Sequence, residues 1–285
     1  MMQMSAFMFL TDETIGPAEL AVALEDRGFA GLWVPEHPHI PTKRQTPVPP
    51  AYGGGDLAPM YLRLLDPFVA LTTAASATTA LRVGTGVCLL ALRDPIVTAK
   101  AIATLAHVSG GRFEFGVGYG WNEDEYGDHG QQFSDRHAVV REKVELMRNL
   151  WRDDVAEYRG THTEMQPSWA WPKPAPGTLR VWLGGNGMTT MREAAAWADC
   201  WFPTPSSPNL GDHIRTFRRM VGEAGRNPSD VGVGIAAAPP DLVTLNNFVE
   251  WEVDEVSVAL PSAGRDEVLM ALDELVDIRS RLLGN

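Results

Sequence analysis

The chain has few cysteines, no long apolar run and no excess of basic residues, and each deficit excludes a class of protein. Its 285 residues include only Cys88 and Cys200, which lie in apolar stretches and offer neither a disulfide framework nor metal-ligand spacing. No apolar run approaches the roughly 20 residues of a membrane helix. The net charge of -12 argues against a nucleic-acid partner. We therefore expect a cytoplasmic protein with reduced thiols and a small-molecule substrate.

Short β-rich runs alternate with longer helical patterns along the whole chain, which is typical of βα units around a parallel sheet. We predict one domain over residues 1–285. Its eight predicted strands are Gln3 to Phe9, Gly31 to Val34, Arg82 to Val87, Arg112 to Val117, Leu179 to Leu183, Cys200 to Phe202, Val231 to Ala237 and Glu255 to Ala259. Eight such units in about 250 residues indicate an α/β fold of the (β/α)₈ TIM-barrel type, whose active site is built from the loops after the strands.

Several helix starts can be located from the sequence. Pro17, Pro67 and Pro95 suit the first turn of a helix, where the missing N–H costs nothing. Asp66 and Asp94 precede two of these prolines, and both are predicted to cap the helices.

Two segments, after the second and fourth predicted βα strands, break this alternation. Residues 35–66 are rich in proline and glycine, and residues 155–178 carry Trp169, Trp171 and four prolines without a helical or strand period. Connections of this length in compact domains are usually lids or binding loops, and a mobile surface excursion is the alternative. Their Met, Trp and Pro residues predict an apolar or aromatic pocket, although the same residues could simply pack the loops down.

A glycine-rich run, FGVGYGWNEDEYG, spans residues 115–127 at the end of the fourth predicted strand. Its G-x-G-x-G spacing differs from the dinucleotide fingerprint, which also requires a turn after the first strand, where this chain reads LTDETIGPAEL. In a barrel, Gly118 and Gly120 would let the backbone approach a flat ligand, with Trp121 and Asn122 at the mouth. A glycine-rich bend at a barrel corner explains the spacing equally well.

A second glycine cluster, Gly184-Gly185-Asn186-Gly187, stands between the fifth predicted strand and a helix. Bare backbone N–H groups at a helix start bind phosphate, because the helix dipole favours negative charge there. A tight turn explains one glycine, whereas three in four positions favour a phosphate site.

Glycine also interrupts the third predicted strand, at Gly84 and Gly86. Glycine inside a strand marks a bulge or a close approach of backbone. Cys88 follows, and with no adjacent basic residue it is predicted to pack rather than react.

One histidine stands out as a candidate for proton transfer. Glu36-His37 follows the second predicted strand directly, at the catalytic end of a barrel. His37 can exchange a proton near neutral pH, and the adjacent Glu36 could orient it. His39 is predicted to be a solvated residue.

Together these segments resemble the superfamily of luciferase-like flavin and deazaflavin oxidoreductases, which includes bacterial luciferase and enzymes dependent on coenzyme F420. The resemblance covers nearly the whole chain, through GLWVPEH, LRVGTGVCLLALRDPIVTAKAIATLAHVSGGRFEFGVGYGWNEDEY, LGGNGMTTMREAAAWADCWF and VDEVSVALPSAGRDEVL. It is strongest to the actinobacterial F420-dependent subgroup. It implies a luciferase-like TIM barrel, usually a homodimer, with the cofactor ring at the carboxyl ends of the strands.

The resemblance also implies roles for particular residues. The non-prolyl cis peptide of the superfamily falls at Gly86-Val87, where it supports the rear face of the ring, and Gly184 and Gly185 hold the phosphate. Glu36 and His37 match the acidic residue and histidine beside the coenzyme in deazaflavin-dependent sugar-phosphate dehydrogenases. Those enzymes have a catalytic Glu where this chain has Trp121, which argues against a sugar-phosphate substrate.

The leading hypothesis is hydride transfer between coenzyme F420 and a small organic substrate, with His37 or Tyr119 exchanging the accompanying proton. One alternative is an FMN-dependent monooxygenase that receives reduced flavin from a separate reductase. A second is a non-catalytic flavin or deazaflavin binding protein.

Overall fold

Eight parallel strands close into a barrel in a computed structural model of the chain, which describes residues 2–50 and 53–282. The described residues contain ten strands, of which all but β5 and β6 form the barrel: β1 (Gln3–Phe7), β2 (Gly31–Val34), β3 (Arg82–Thr85), β4 (Phe113–Val117), β5 (Ala156–Arg159), β6 (Glu164–Ser168), β7 (Val181–Gly184), β8 (Cys200–Phe202), β9 (Gly232–Ala238) and β10 (Glu255–Ala259). The α-helices of the described residues are α1 (Pro17–Asp26), α2 (Pro67–Ser76), α3 (Pro95–Val108), α4 (Glu123–Asp128), α5 (Arg136–Arg152), α6 (Met188–Trp197), α7 (Leu210–Glu223), α8 (Leu242–Glu250) and α9 (Arg265–Leu282).

The barrel runs in the order β1-β2-β3-β4-β7-β8-β9-β10 and closes where β10 pairs with β1. All eight strands predicted from the sequence are present, and the (β/α)₈ prediction is confirmed. The third strand ends at Thr85, two residues earlier than predicted. Gly86 and Val87 form a bulge, because Cys88 returns to the sheet beside Val117 with the register shifted by one residue.

Helix starts also agree with the sequence. The side chain of Asp66 accepts hydrogen bonds from the N–H groups of Phe68 and Val69, and that of Asp94 accepts one from Val97. Within the part of the chain that the structure describes, no helix combines the length and apolar character needed to cross a membrane.

Two buried tryptophans of the barrel strands donate hydrogen bonds to buried carboxylates. The indole N–H of Trp33 donates to Glu255 at 2.8 Å, and that of Trp182 donates to Glu114 at 2.7 Å. Arg82 pairs with both carboxylates, at 2.6 Å from Glu255 and 3.2 Å from Glu114. Each buried acid therefore has a cationic partner, as burial of charge requires.

Glycine is required where strands pass these rings. A Cβ on Gly84 would lie 2.6 Å from the ring of Trp33, and one on Gly234 would lie 2.4 Å from that of Trp182. A Cβ on Gly116 would lie 1.8 Å from the carbonyl oxygen of Thr85. The last contact is the shortest of the three. It is also the hardest to relieve, because a backbone atom of a paired strand cannot move aside.

The prediction that residues 155–178 form a binding loop without regular structure is wrong. This segment contains β5 and β6, which pair as an antiparallel hairpin. It joins α5 to β7, so it lies at the amino ends of the barrel strands, opposite the catalytic end. Trp169 and Trp171 are 79% and 58% exposed and line no pocket at the barrel mouth. The hairpin shows no clear period because it buries few side chains, among them Ala156 and Met165.

Replacing Gly116 with Ala tests the contact with Thr85. Gly116→Ala is expected to lower the free energy of unfolding by about 3 kcal/mol, because β3 and β4 must separate to admit the methyl group. Gly222→Ala is the control, since Gly222 lies in α7 with a nearest neighbour at 3.9 Å, and it is expected to raise that free energy by about 0.5 kcal/mol. Urea denaturation followed by circular dichroism measures both, and equal stabilities would contradict the packing described.

Candidate functional site

A cavity of about 690 Å³ opens at the carboxyl ends of the barrel strands. Its lining residues come from the loops after the strands, which is where (β/α)₈ enzymes carry their chemistry. We call one part the aromatic half, made by Phe7, Phe9, His37, Met60, Tyr61 and Trp121. We call the other the anion half, made by Tyr119, Arg136, His137, Gly185, Gly187 and Thr190.

Val87 forms the floor between the two halves. The Gly86-Val87 peptide bond is cis, as the resemblance implies, and both residues line the cavity. A Cβ on Gly118 would lie 2.3 Å from one methyl carbon of Val87, and a Cβ on Gly184 would lie 2.7 Å from the other. Glycine at these positions therefore admits the bulge and its side chain. Gly118, Gly120 and Gly184 also line the cavity, so the cavity floor is flat backbone around one methyl-bearing side chain.

His37 is held in the aromatic half by a buried carboxylate. Its Nδ1 lies 2.8 Å from Oε1 of Glu125, which is 1% exposed and lies in the first turn of α4. Asn122 donates from its side-chain amide to the same oxygen at 2.7 Å. A carboxylate can only accept, so Nδ1 carries the proton and Nε2 is the nitrogen left for a ligand.

The sequence-based assignment of Glu36 as the acid that orients His37 is wrong. The Glu36 carboxylate accepts the N–H of Leu89 at 2.8 Å and Nε–H of Arg93 at 2.5 Å. Successive residues in this extended segment point in different directions, so Glu36 ties the loop after β2 to the loop after β3 instead. Cys88 lies beside it, and burial together with the Glu36 charge raises the pKa of its thiol well above the usual range. The expected packing role of Cys88 agrees with this environment.

Asn122 and Asn186 support the site without lining the cavity, which corrects their prediction as cofactor ligands. Asn122 is 1% exposed and uses its amide on Glu125. Asn186 donates to the Thr204 hydroxyl at 2.8 Å and accepts the Thr204 N–H at 2.8 Å, so it fixes the loop after β8. In both cases nearby glycines line the cavity, while the asparagine amide donates a hydrogen bond within the protein.

Two aromatic rings flank His37. The centroid of His37 lies 5.3 Å from Tyr61 and 5.8 Å from Trp121, both edge-on, and Tyr61 lies 6.3 Å from Trp121. Trp121, predicted at the mouth of the fourth strand, therefore reaches the histidine. Tyr61 belongs to the loop of residues 35–66, whose prediction as a functional loop agrees with this position.

The start of α6 supplies backbone donors to the anion half. Gly187 is the N-cap, no side chain caps the helix, and Met188, Thr189 and Thr190 of the first turn line the cavity. The first N–H groups of a helix have no partner within it and attract anions. Gly185 adopts a φ of +132°, which favours glycine, and this brings the chain into the first turn.

Tyr119 lies in the anion half, away from the ring cluster of His37. Its ring packs on that of His137 with centroids 3.9 Å apart. Burial raises the pKa of the Tyr119 hydroxyl well above its ordinary value, which makes it a weaker acid. Of the two candidates for proton exchange, His37 has the better-supported geometry.

Sequence reasoning missed Glu125 as the partner of His37, and it missed Arg136 and His137 altogether. Glu125 lies 88 residues from His37 in the chain, so no local pattern connects the two. A usable signal was the Asn122-x-x-Glu125 spacing, which places an acid in the first turn of a helix.

This geometry defines a barrel enzyme. The cavity at the strand ends combines a backbone floor, the N–H groups of the first turn of α6 and a buried histidine–carboxylate pair, and such convergence marks a catalytic site.

Comparison with known proteins gives the family. The model of the luciferase-like monooxygenase family matches residues 16–239. An uncharacterized protein of Mycobacterium tuberculosis is 36% identical over 271 residues, covering 94% of this chain and 95% of the relative. An F420-dependent glucose-6-phosphate dehydrogenase of Mycolicibacterium gilvum is 30% identical over 224 residues, covering 75% of this chain and 61% of the relative. The chain therefore belongs to the luciferase-like monooxygenase family, and it is an oxidoreductase.

Solved structures show the same fold at low identity. Monooxygenase RslO1 from Streptomyces bottropensis aligns with a TM-score of 0.77 and 18% identity, covering 97% of this chain and 98% of that one. An F420-dependent secondary alcohol dehydrogenase in complex with an F420-acetone adduct aligns with a TM-score of 0.77 and 17% identity over 99% of each chain.

The contact between His37 and Glu125 predicts the tautomer of the imidazole. In protein labelled with ¹⁵N-histidine, His37 is expected to carry its neutral-form proton on Nδ1, because the carboxylate accepts from that atom. Glu125→Gln should weaken this preference, since an amide can present either N–H or C=O. The exposed neighbour provides the control, Glu123→Gln, which should leave the ¹⁵N shifts unchanged. An Nε2-protonated His37 in the wild type would refute the assignment.

Proposed function

We propose that the protein transfers a hydride between coenzyme F420 and a neutral organic carbonyl or alcohol, with His37 exchanging the proton. The observation that carries this proposal is the buried His37–Glu125 pair beside the Gly86-Val87 floor. Hydride transfer to or from an oxygenated carbon needs one proton-exchanging group on the substrate oxygen, and this pair can act as that group.

The cavity residues suit such a cofactor. The Val87 floor between Gly118 and Gly184 would support one face of a planar ring, and the N–H groups at the start of α6 would hold a phosphate. Coenzyme F420, when bound, supplies the carbon that accepts or returns the hydride. The residues of the chain then orient the ring, exclude water and move the proton.

His37 exchanges the proton through Nε2. In the oxidation of an alcohol, Nε2 would take the hydroxyl proton while the C–H hydrogen leaves with its electron pair as the hydride that the coenzyme would accept, and a carbonyl would remain. Reduction is the reverse. Glu125 keeps Nδ1 protonated throughout and stabilises the imidazolium that forms, because a buried charge needs a close opposite charge.

The lining of the aromatic half favours an uncharged substrate. Among the described residues that line the cavity, Arg136 is the one lysine or arginine, and it lies in the anion half. Arg93 does not line the cavity and is paired with Glu36 and Asp66. Arg44 covers the Trp121 ring at 5.4 Å from its centroid without lining the cavity. An apolar or aromatic carbonyl compound would pack against the rings of Tyr61 and Trp121.

The choice of F420 over FMN is supported by the dehydrogenase of 30% identity, whose name specifies F420. The fold alone is shared with monooxygenases as well, so the FMN-dependent monooxygenase remains the second candidate. Turnover with a panel of neutral ketones and aldehydes would distinguish both enzymes from a binding protein without activity.

Cofactor titration tests the proposal. The wild type is expected to quench the fluorescence of coenzyme F420 with micromolar or tighter affinity and to bind FMN more weakly. Gly187→Asp should weaken F420 binding at least tenfold, about 1.4 kcal/mol, because its carboxylate would repel the phosphate. Gly187 is the position to change, since it has nothing within 4 Å and both Asp and Asn suit an N-cap.

The matched control is Gly187→Asn, which has the same shape and capping ability without the charge. It should bind at least tenfold more tightly than Gly187→Asp. Binding of FMN alone by the wild type would overturn the F420 assignment, and equal affinities of the two variants would overturn the phosphate site.

We also propose that two copies of the chain associate through α2 and α3. These neighbouring helices expose Val69 and Val97 at 68% and 69%, and Leu62, which precedes α2 in the chain, is 64% exposed. Exposed apolar side chains on neighbouring helices are a candidate protein interface.

The oligomeric state tests this proposal. Light scattering after size-exclusion chromatography is expected to give the mass of a dimer for the wild type and of a monomer for Val97→Asp, because a buried unpaired carboxylate opposes association. The control is Val243→Asp, at a 74% exposed valine on α8, which should remain dimeric. A monomeric wild type would contradict the interface.

A further inference from the structure

One turn of the loop after β2 is bonded to α4. The carboxylate of Asp124 accepts the N–H of Gln45 at 3.0 Å and both the N–H and the hydroxyl of Thr46, at 2.8 and 2.7 Å. The oxygen of that hydroxyl accepts the N–H of Glu123 at 3.2 Å. Glu123 and Asp124 lie in the first turn of α4, so the Thr46 side chain is fixed there through both its proton and its oxygen.

The same turn places a cation on Trp121. The guanidinium of Arg44 donates to the carbonyl oxygen of Thr46 and lies 5.4 Å from the centroid of the Trp121 ring. A guanidinium in this position is attracted by the negative face of the indole. Trp121 lines the cavity and Arg44 does not, so this contact acts on the ring from outside the cavity.

The room beside His37 is limited. The cavity measures about 690 Å³, and a pocket for a single drug-sized ligand already measures about 300–1,000 Å³. Under the proposed function, this one cavity holds both the cofactor and the substrate. The Trp121 ring lies 5.8 Å from that of His37, centroid to centroid, so its position determines how much space remains next to the proton-exchanging group.

We propose that Arg44, Thr46 and Asp124 form a clamp that holds Trp121 in the wall of the aromatic half, and that the clamp limits the size of the carbonyl substrate. The inference rests on the proposed function. Asp124 binds Thr46, Thr46 binds Arg44, and Arg44 covers Trp121. All three are positioning residues, because they act on the substrate through Trp121. Without the clamp, the ring can move outward and a larger substrate fits.

Two methyl ketones of different size, acetone and benzylacetone, test the limit with reduced coenzyme F420. Thr46→Val and Asp124→Asn should each raise the ratio of kcat/KM for benzylacetone to that for acetone about tenfold, the discrimination that an apolar pocket achieves by size. The gain should appear as a lower KM for benzylacetone, with kcat for acetone unchanged, because the clamp affects substrate binding and leaves the proton exchange at His37 intact.

Two further variants show whether the effect passes through Trp121. Thr46→Ser keeps the hydroxyl and should retain the wild-type ratio. Trp121→Ala removes the ring and should raise the ratio by itself. Adding Thr46→Val to Trp121→Ala should then change nothing more, since residues that act in one chain of contacts are not additive. A full second increase in the double variant would contradict the clamp.

The matched control is a carboxylate that fastens a loop at the other end of the barrel. Glu25 accepts the N–H groups of Ala80 at 2.6 Å and Leu81 at 2.8 Å, directly before β3. Bonds to these N–H groups lower the pKa of Glu25, as bonds to Thr46 lower that of Asp124. Glu25→Gln should therefore lower the free energy of unfolding as Asp124→Asn does, but it should leave the ketone ratio at the wild-type value.

Fluorine NMR of the apoprotein detects the clamp without turnover. Labelling with fluorotryptophan gives a resonance for each of the nine tryptophans, and the one that Trp121→Phe removes belongs to Trp121. That resonance should shift in Thr46→Val and Asp124→Asn and keep its position in Thr46→Ser and Glu25→Gln.

The outcomes separate the two proposals. A wild type without turnover of either ketone overturns the proposed function, whereas a Trp121 resonance that shifts in Thr46→Val still supports the clamp. Turnover with the same ketone ratio in wild type, Thr46→Val and Asp124→Asn overturns the size limit alone. A Trp121 resonance that does not move in either variant overturns the clamp itself.

Discussion

Val87 packs between Gly118 and Gly184 so closely that a Cβ at either glycine would overlap its methyl groups, at 2.3 and 2.7 Å. Residues of three neighbouring barrel strands meet at this one side chain. The bulge follows β3, Gly118 follows β4, and Gly184 is the last residue of β7. Because protein interiors tolerate almost no overlap, the bulge, the glycine run and the strand spacing depend on one another. The flat floor of the cavity is the result of this packing.

Loops at that end of the barrel bring His37 and Glu125 together. The carboxylate of Asp124 accepts the N–H and hydroxyl of Thr46 at 2.8 and 2.7 Å, and these bonds lower the pKa of Asp124. They fasten the loop after β2 to α4, which also carries Glu125. His37 therefore meets its carboxylate because two elements far apart in sequence are joined beside the site. The contact of Nδ1 with Glu125 fixes His37, and Asn122 holds the Glu125 carboxylate in turn.

The barrel could be predicted from the sequence because each βα unit has a local signal, an apolar run followed by a capped helix. One part of the site and one part of the fold could not be predicted in this way. The contact of Glu125 with His37 depends on a folded loop with no local pattern. The hairpin within residues 155–178 buries too little to show alternation. Arg136 and His137 do have a sequence signal, because basic residues in the first turn of α5 are unfavourable to the helix dipole unless an anion binds there.

Hydride transfer beside His37 is the central claim, and isotope transfer tests it most directly. Coenzyme F420 reduced with a deuteride at its reactive carbon is incubated with the protein and a panel of neutral ketones and aldehydes under ¹⁸O₂, and the products are analysed by mass spectrometry. The account predicts an alcohol that carries deuterium on the former carbonyl carbon and no ¹⁸O. A product that contains ¹⁸O and lacks deuterium would contradict it and indicate monooxygenation.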